Sequence, residues 1–358
     1  MASIRRHPKA THRWQVRYRG SDHKQRTKNF ATKADATRYA NLVEADLTRG
    51  EWSDPALAKT TFGEWVAKWD AGRLNRRTTT RARDETCLRL HVVPTFRSRH
   101  IGSIQPADIR EWVQELIDKG LAPATVRKCY QLIAGALDAA VNDGLIPRSP
   151  ARDVGLPKTE RPAIHFLTAD QINTLADAID QRYRVLVLAA GYSGLRAGEL
   201  AALKVDRLDL LRRRLRVVDT LVDIGGHLET HPPKTNASQR SVRLSEALCD
   251  DLALHLATYP TEAYVFQAPE GGPLRWTNFR RRYWKPAVEQ LGIPARFHDL
   301  RHSHAALLIA AGEHPKLIAS RLGHTSVRTV LDVYGHLLDG LDDAAADRLD
   351  EVYRASRV

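Results

Sequence analysis

The feature that most constrains this chain is a run of short, sharply punctuated helical patterns in residues 297–336. Leu300, Leu307, Leu308 and Ala311 recur at helical spacing before Gly312, so a helix is expected from Phe297 to that glycine. His298 and Arg301 stand three apart on it, and both side chains leave the same face. Pro315 opens a second helix, Lys316 to Leu322, which Gly323 closes, leaving His324 at a turn. Thr325 or Ser326 caps a third helix, with Val327, Val330 and Leu331 pointing inward and Tyr334 late on it. An imidazole and a guanidinium on one helix, a second imidazole at a turn and a phenol one helix later can converge on one anion.

The charge fits an anionic partner. The 358 residues carry a formal net charge of +13, a field that steers polyanions inward. It is uneven: residues 1–33 hold ten Lys/Arg against Asp22 alone, whereas residues 337–358 hold six acids against three arginines. The three cysteines, Cys87, Cys129 and Cys249, have no ligand-like spacing and fit core packing in a reducing compartment. No apolar run approaches the ~20 residues that span a bilayer. The N-terminus has no signal-peptide segment, so a cytoplasmic protein is expected.

The chain reads as several domains, mainly α with small β-sheets. In residues 1–55, Trp14 to Arg19 alternate apolar and polar side chains as a strand does. Gly20-Ser21-Asp22 turns toward a second strand ending near Phe30, and Thr32 to Leu47 is helical. This sheet-plus-helix head displays arginines that can enter a DNA groove; Arg5, Arg6, Arg13, Arg17 and Arg19 are its candidate contacts. Residues 60–155 form a helical block. Thr61 and Glu64 make a capping box, and Phe62, Trp65, Val66 and Trp69 give a buried stripe. Helices open at Pro106 and Pro123, and Arg76, Arg77 and Arg81 are basic-edge candidates for DNA. Residues 156–164 have linker composition. The region 165–336 is mixed α/β. Thr168 and Gln171 cap a helix, and the glycines of Ser193-Gly194-Leu195-Arg196-Ala197-Gly198-Glu199-Leu200 turn the chain into another. Strands follow at Leu215–Val222, up to Thr230 and at Ser241–Leu244, with Lys234 on a hairpin tip between the last two.

The candidate set is Arg196, Lys234, His298, Arg301, His324 and Tyr334, with Glu199 in support. Two guanidiniums can grip the non-bridging oxygens of a phosphodiester and stabilise the extra charge of a pentavalent transition state. A phenol, with a reference pKa of about 10, needs a base to attack; His298 can accept its proton and return it. A lysine over DNA suits protonation of the leaving 5′ oxygen. Attack by a side chain stores the bond as a phosphotyrosine, so resealing needs no ATP, and no phosphate-binding G-x-x-x-x-G-K-[ST] loop occurs. No metal or cofactor is expected, because the cations are built in. His298 and His302 stand four apart as in a zinc helix, but Asp299 occupies the position where the metalloprotease pattern needs Glu. His302, His304 and His336 are expected to hydrogen-bond near the site.

Arg196 within S-G-L-R-x-G-E-L, Lys234 on a hairpin, His298-x-x-Arg301, Leu322-Gly323-His324 and Tyr334 ten residues on resemble the tyrosine recombinase (phage integrase) family. The resemblance implies a catalytic domain at 165–336, a core-binding domain at 60–155 and an arm-site-binding domain at 1–55. It implies double-stranded DNA as partner at core and arm sites, a homotetrameric synapse, and strand exchange through a Holliday junction with a 3′-phosphotyrosine intermediate. Accessory bending or directionality proteins would set direction, and the tail 337–358, with Leu341, Ala344, Leu349 and Val352 as an apolar face, would dock on a neighbouring protomer, the alternative being packing in cis. Integration or excision of a phage or mobile element, in a bacterial cytoplasm or nucleoid, is the expected task. A type IB topoisomerase would share the chemistry, but the arm-like head and distinct helical block favour recombination. A regulator with a decayed site would lack the intact set of six.

Overall fold

The computed structural model describes residues 2–6, 14–20, 23–50, 52–160, 162–232, 238–337 and 342–356, the side chains of 342–345 excepted. Lys234, Arg13 and Leu341 lie outside the described residues, as does the side chain of Ala344. The chain divides into two compact units, Met1–Arg161 and Pro162–Val358, and the division falls within the segment of linker composition.

In the first unit the alternation at Trp14 becomes a strand. β1 (Ser3–Arg6), β2 (Trp14–Arg19) and β3 (Gln25–Phe30) form an antiparallel sheet in that order. β1 was not legible in the sequence. α1 (Lys33–Arg49), capped by the Thr32 side chain, lays Ala36, Ala40 and Val43 on Val16 and Tyr18. A separate core is built by α2 (Phe62–Gly72), α3 (Thr78–Cys87), α4 (Val93–Phe96), α5 (Pro106–Asp118) and α6 (Pro123–Asn142). The capping box of Thr61 and Glu64 is present. Trp65 and Trp112 are core, while Trp69 is half-buried: the Trp65 indole N–H donates to the Ala136 carbonyl at 2.7 Å and that of Trp112 to the His91 carbonyl at 2.9 Å.

The second unit opens with α7 (Ala169–Ala178), boxed by Thr168 and Gln171, α8 (Gln181–Ser193) and α9 (Ala197–Ala201). α8 is apolar nearly all round because it runs through the core, with Leu186 and Val187 fully buried. Next come β4 (Leu208–Asp209), β5 (Arg214–Val217), β6 (Thr220–Ile224), β7 (His227–His231) and β8 (Arg240–Arg243). The stretch Leu215–Val222, expected as one strand, is broken after Val217. β5 pairs with β4 and β8 in one sheet, while β6 pairs with β7 in another. α10 (Glu246–Thr258), α11 (Trp276–Phe279) and α12 (Lys285–Gln290) complete this layer.

α13 (Phe297–Ala310), α14 (Pro315–Leu322) and α15 (Arg328–Tyr334) carry the site. Gly323 ends α14 in the left-handed region at φ 65°. α15 starts later than expected: the Ser326 hydroxyl accepts from the Arg328 N–H. Leu331, expected inward, is 46% exposed, because Val330 and Tyr334 take the buried face. α16 (Asp342–Ala355) follows, with Leu349 and Val352 exposed. No described helix is long and apolar enough to cross a membrane.

Candidate active site

The turn from α8 into α9 sets the first guanidinium. Gly194 sits at φ 69°, and a Cβ there would lie 2.5 Å from the His304 ring, so both conformation and space require glycine. Arg196 occupies the position before α9. The Glu199 carboxylate accepts from its backbone N–H at 2.9 Å and from its Nη1 at 2.8 Å. Glu199 is buried and is gripped from the other side by Arg240, at 3.1 and 3.0 Å. Burial alone would raise the Glu199 pKa, but the bonds and charge of Arg240, then of Arg196, outweigh it and hold the carboxylate ionised. Arg240 was missed from sequence. Its signal was the alternation of β8, which puts it on the inward face with Val242. The sequence reading placed Glu199 as a buttress; in the structure its carboxylate lies between the Arg196 and Arg240 guanidiniums.

α13 supplies the second guanidinium. Arg301 is only 3% exposed and donates to the carbonyls of Gly194 and Leu322, each at 2.5 Å, and to His324 Nε2 at 3.1 Å. Among the described residues no carboxylate is hydrogen-bonded to it. Burial, then the facing charge of Arg196, push its pKa down to about 9, still well above neutrality, so a cation is held in a dry place. A guanidinium can only donate, so His324 Nε2 must accept. Burial, followed by Arg301 and Arg196, pushes the His324 pKa down to about 4. The ring is therefore neutral at pH 7, with its proton on Nδ1. Among the described residues that buried Nδ1 has no hydrogen-bond partner. An unspent N–H beside an uncompensated cation is a ready anion site.

Tyr334 is 2% exposed, and its ring packs near Phe166. Burial pushes the phenol pKa up to about 12, with Arg301 pulling the other way. The hydroxyl lies 2.8 Å from Nδ1 of His302, not against His298 as expected. His298 opens to solvent at the rim, its ring 4.9 Å from that of His302 and nearly perpendicular to it. Partial burial, then His302, Arg301 and Arg196, push its pKa down to about 4. The reason is helical geometry: His302 lies one turn further along the same face, and α15 reaches that turn and not the one before. His304 is structural, its Nδ1 3.2 Å from the Gly191 carbonyl. Arg196, His298, Arg301, His324 and Tyr334 thus share one site, joined by His302 and Arg240.

The candidate DNA contacts divide. Arg6, Arg19, Arg77 and Arg81 are exposed. Arg5 is exposed but donates to Gln15 Oε1 at 2.8 and 2.6 Å, and Arg17 is half-buried. Arg76 is a correction: its guanidinium is largely covered and bridges Asp70 at 2.8 Å and Asp84 at 3.3 Å. It ties α2 to α3 instead of facing outward.

Comparison with known proteins points to one family. The family model described as "Phage integrase family" matches residues 165–340, and that of "Phage integrase, N-terminal SAM-like domain" matches 61–117. The ICEBs1 integrase of Bacillus subtilis is 28% identical over 279 residues, covering 73% of this chain and 75% of its own length. The prophage phiRv2 integrase of Mycobacterium tuberculosis is 28% identical over 355 residues, 95% of this chain and 93% of its own. Among solved structures, the Tn1549 transposon integrase in complex with transposon right end DNA superposes with a TM-score of 0.69 at 21% identity, covering 81% of this chain and 100% of that one. A lambda integrase tetramer bound to a Holliday junction gives 0.61 at 18% identity, covering 87% and 93%. These two share the fold. The two family models and the relatives define a tyrosine recombinase. The chain belongs to the phage integrase family, whose members are site-specific DNA recombinases.

Proposed function

We propose that the chain integrates or excises a phage or mobile element, with Tyr334 as nucleophile and Arg196, Arg301 and His324 as the phosphate cradle. The observation that carries this reading is the buried Arg301 cation, bonded among the described residues to carbonyls and an imidazole, beside the Nδ1–H of His324. A phosphodiester supplies negative charge beside Arg301 and an acceptor for the His324 N–H. The two guanidiniums and the imidazole N–H then stabilise the dianionic pentavalent phosphorus, charge that grows only in the transition state. Tyr334 attacks, the 3′-phosphotyrosine forms, and the 5′ oxygen leaves with a proton from Lys234. His298, at the rim and close to both guanidiniums, bonds the entering phosphate. Glu199, held by Arg240, keeps Arg196 in place.

The wider assembly follows the same reading. Residues 1–55 bind arm sites through the exposed Arg6 and Arg19, with Arg5 and Arg17 beside them. Residues 60–155 bind the core site, with Arg77 and Arg81 as contacts. Four copies act on DNA with accessory bending or directionality proteins, and the exposed Leu349 and Val352 of the tail dock on a neighbour. A nicked suicide duplex tests the central part. A covalent adduct is expected from the native protein and none from Tyr334→Phe, with DNA binding kept; an adduct from Tyr334→Phe would remove Tyr334 as nucleophile.

A further inference from the structure

We infer that His302, a residue outside the six-membered catalytic set, takes the phenolic proton of Tyr334 during cleavage and returns it during ligation. The inference rests on the reading of Tyr334 as nucleophile. Three observations carry it. Nδ1 of His302 is 2.8 Å from the Tyr334 hydroxyl, within the reach a general base needs. Tyr334 is almost fully buried, so bulk water cannot take the proton in its place. His298, which the motif would nominate, stands a helical turn away at the solvent-facing rim.

The step balances. As the phenolic oxygen bonds to phosphorus, the phenolic proton moves to His302 Nδ1. The bond from phosphorus to the 5′ oxygen breaks, and that oxygen leaves with a proton from a general acid. Ligation runs the same transfers backward: a 5′ hydroxyl attacks, and His302 protonates the departing phenolic oxygen. The surroundings of His302 set when it can act. Among the described residues, Arg296, His298, Asp299 and Arg301 on or beside α13, His324 after α14 and Tyr334 on α15 are the charged or titratable groups around it. Burial and the two arginines outweigh Asp299 and hold the ring neutral, so it starts as an acceptor. An arriving phosphodiester adds a negative charge that favours the imidazolium. The substrate therefore arms its own base, and the unbound protein keeps the nucleophile protonated.

The test uses the full chain in single-turnover cleavage of a nicked suicide duplex. His302→Asn places an amide oxygen near the position of Nδ1, keeping an acceptor that cannot take a proton; His302→Gln, closer in volume, is the second arm. Both are expected to bind DNA as the native chain does and to lose about 10²- to 10⁴-fold in cleavage rate. The remaining rate should climb with pH throughout the range where the native rate has levelled. A duplex with sulfur replacing the bridging 5′ oxygen, whose leaving group needs no acid, should leave that deficit in place. Native rates in both variants, or recovery with the sulfur substrate, would overturn the role. Tyr334→Phe run alongside separates the two readings: an adduct there would remove the nucleophile assignment itself, whereas a dead Tyr334→Phe with fully active His302 variants would remove this inference alone.

Discussion

At the scale of single residues the site is a balance between desolvation and charge. Arg301 gives up solvent, and two carbonyls hold it in place. Replacing Arg301 or Arg196 by alanine is expected to slow single-turnover cleavage by about 3 kcal/mol of transition-state stabilisation. Affinity in a mobility-shift assay should change little, since phosphates elsewhere on the DNA dominate binding. The buried imidazoles also make stability depend on pH, with a defined sign. His304 is pushed down to about 3 by burial and Arg321, from an ordinary value of 6.5. Above pH 6.5 both folded and unfolded rings are neutral. Below it the unfolded ring takes a proton that the folded one refuses until about pH 3, so stability falls as pH falls through that window. His298 and His324, each pushed down to about 4, add in the same direction. Thermal melts should therefore drop from pH 7 to pH 5, and His304→Gln should flatten that slope.

Elements are where sequence reading succeeded and where it stopped. The caps at Thr61 and Glu64, at Thr168 and Gln171, and at Gly323 were legible because each is decided within a few residues. The break between β5 and β6 was not, because Leu215 to Val222 is rich in strand-forming residues on both sides of it and only pairing with β8 or β7 decides where each strand ends. The same limit hid Arg240 and the preference of Tyr334 for His302. Glu199 lies 41 residues from Arg240, and Tyr334 lies 32 from His302, so tertiary placement chooses the partner. The α8–α9 turn is the element most exposed to mutation. Gly194→Ala would force a left-handed residue against the His304 ring and is expected to cost more than ~1 kcal/mol in urea unfolding. Glu199→Gln breaks a buried ion pair on both sides and should cost about 3 kcal/mol in the same assay.

The whole molecule carries its charge as a DNA-handling protein does. With a net +13 and a basic head, its affinity for duplex DNA should fall steeply and log-linearly with salt. Deleting residues 1–55 should abolish recombination that depends on distal arm sites while leaving core-site cleavage intact. Unchanged arm binding in a mobility-shift assay would refute that assignment. Each of these rests on one chemical event, the transfer of a DNA 3′ phosphate to a side chain. The most direct measurement is peptide mass spectrometry of the covalent species trapped on a nicked suicide duplex. The account predicts a nucleotide phosphate on the peptide containing Tyr334, on the phenolic oxygen. Phosphate on Tyr353, on Tyr192 or on any other side chain would contradict it.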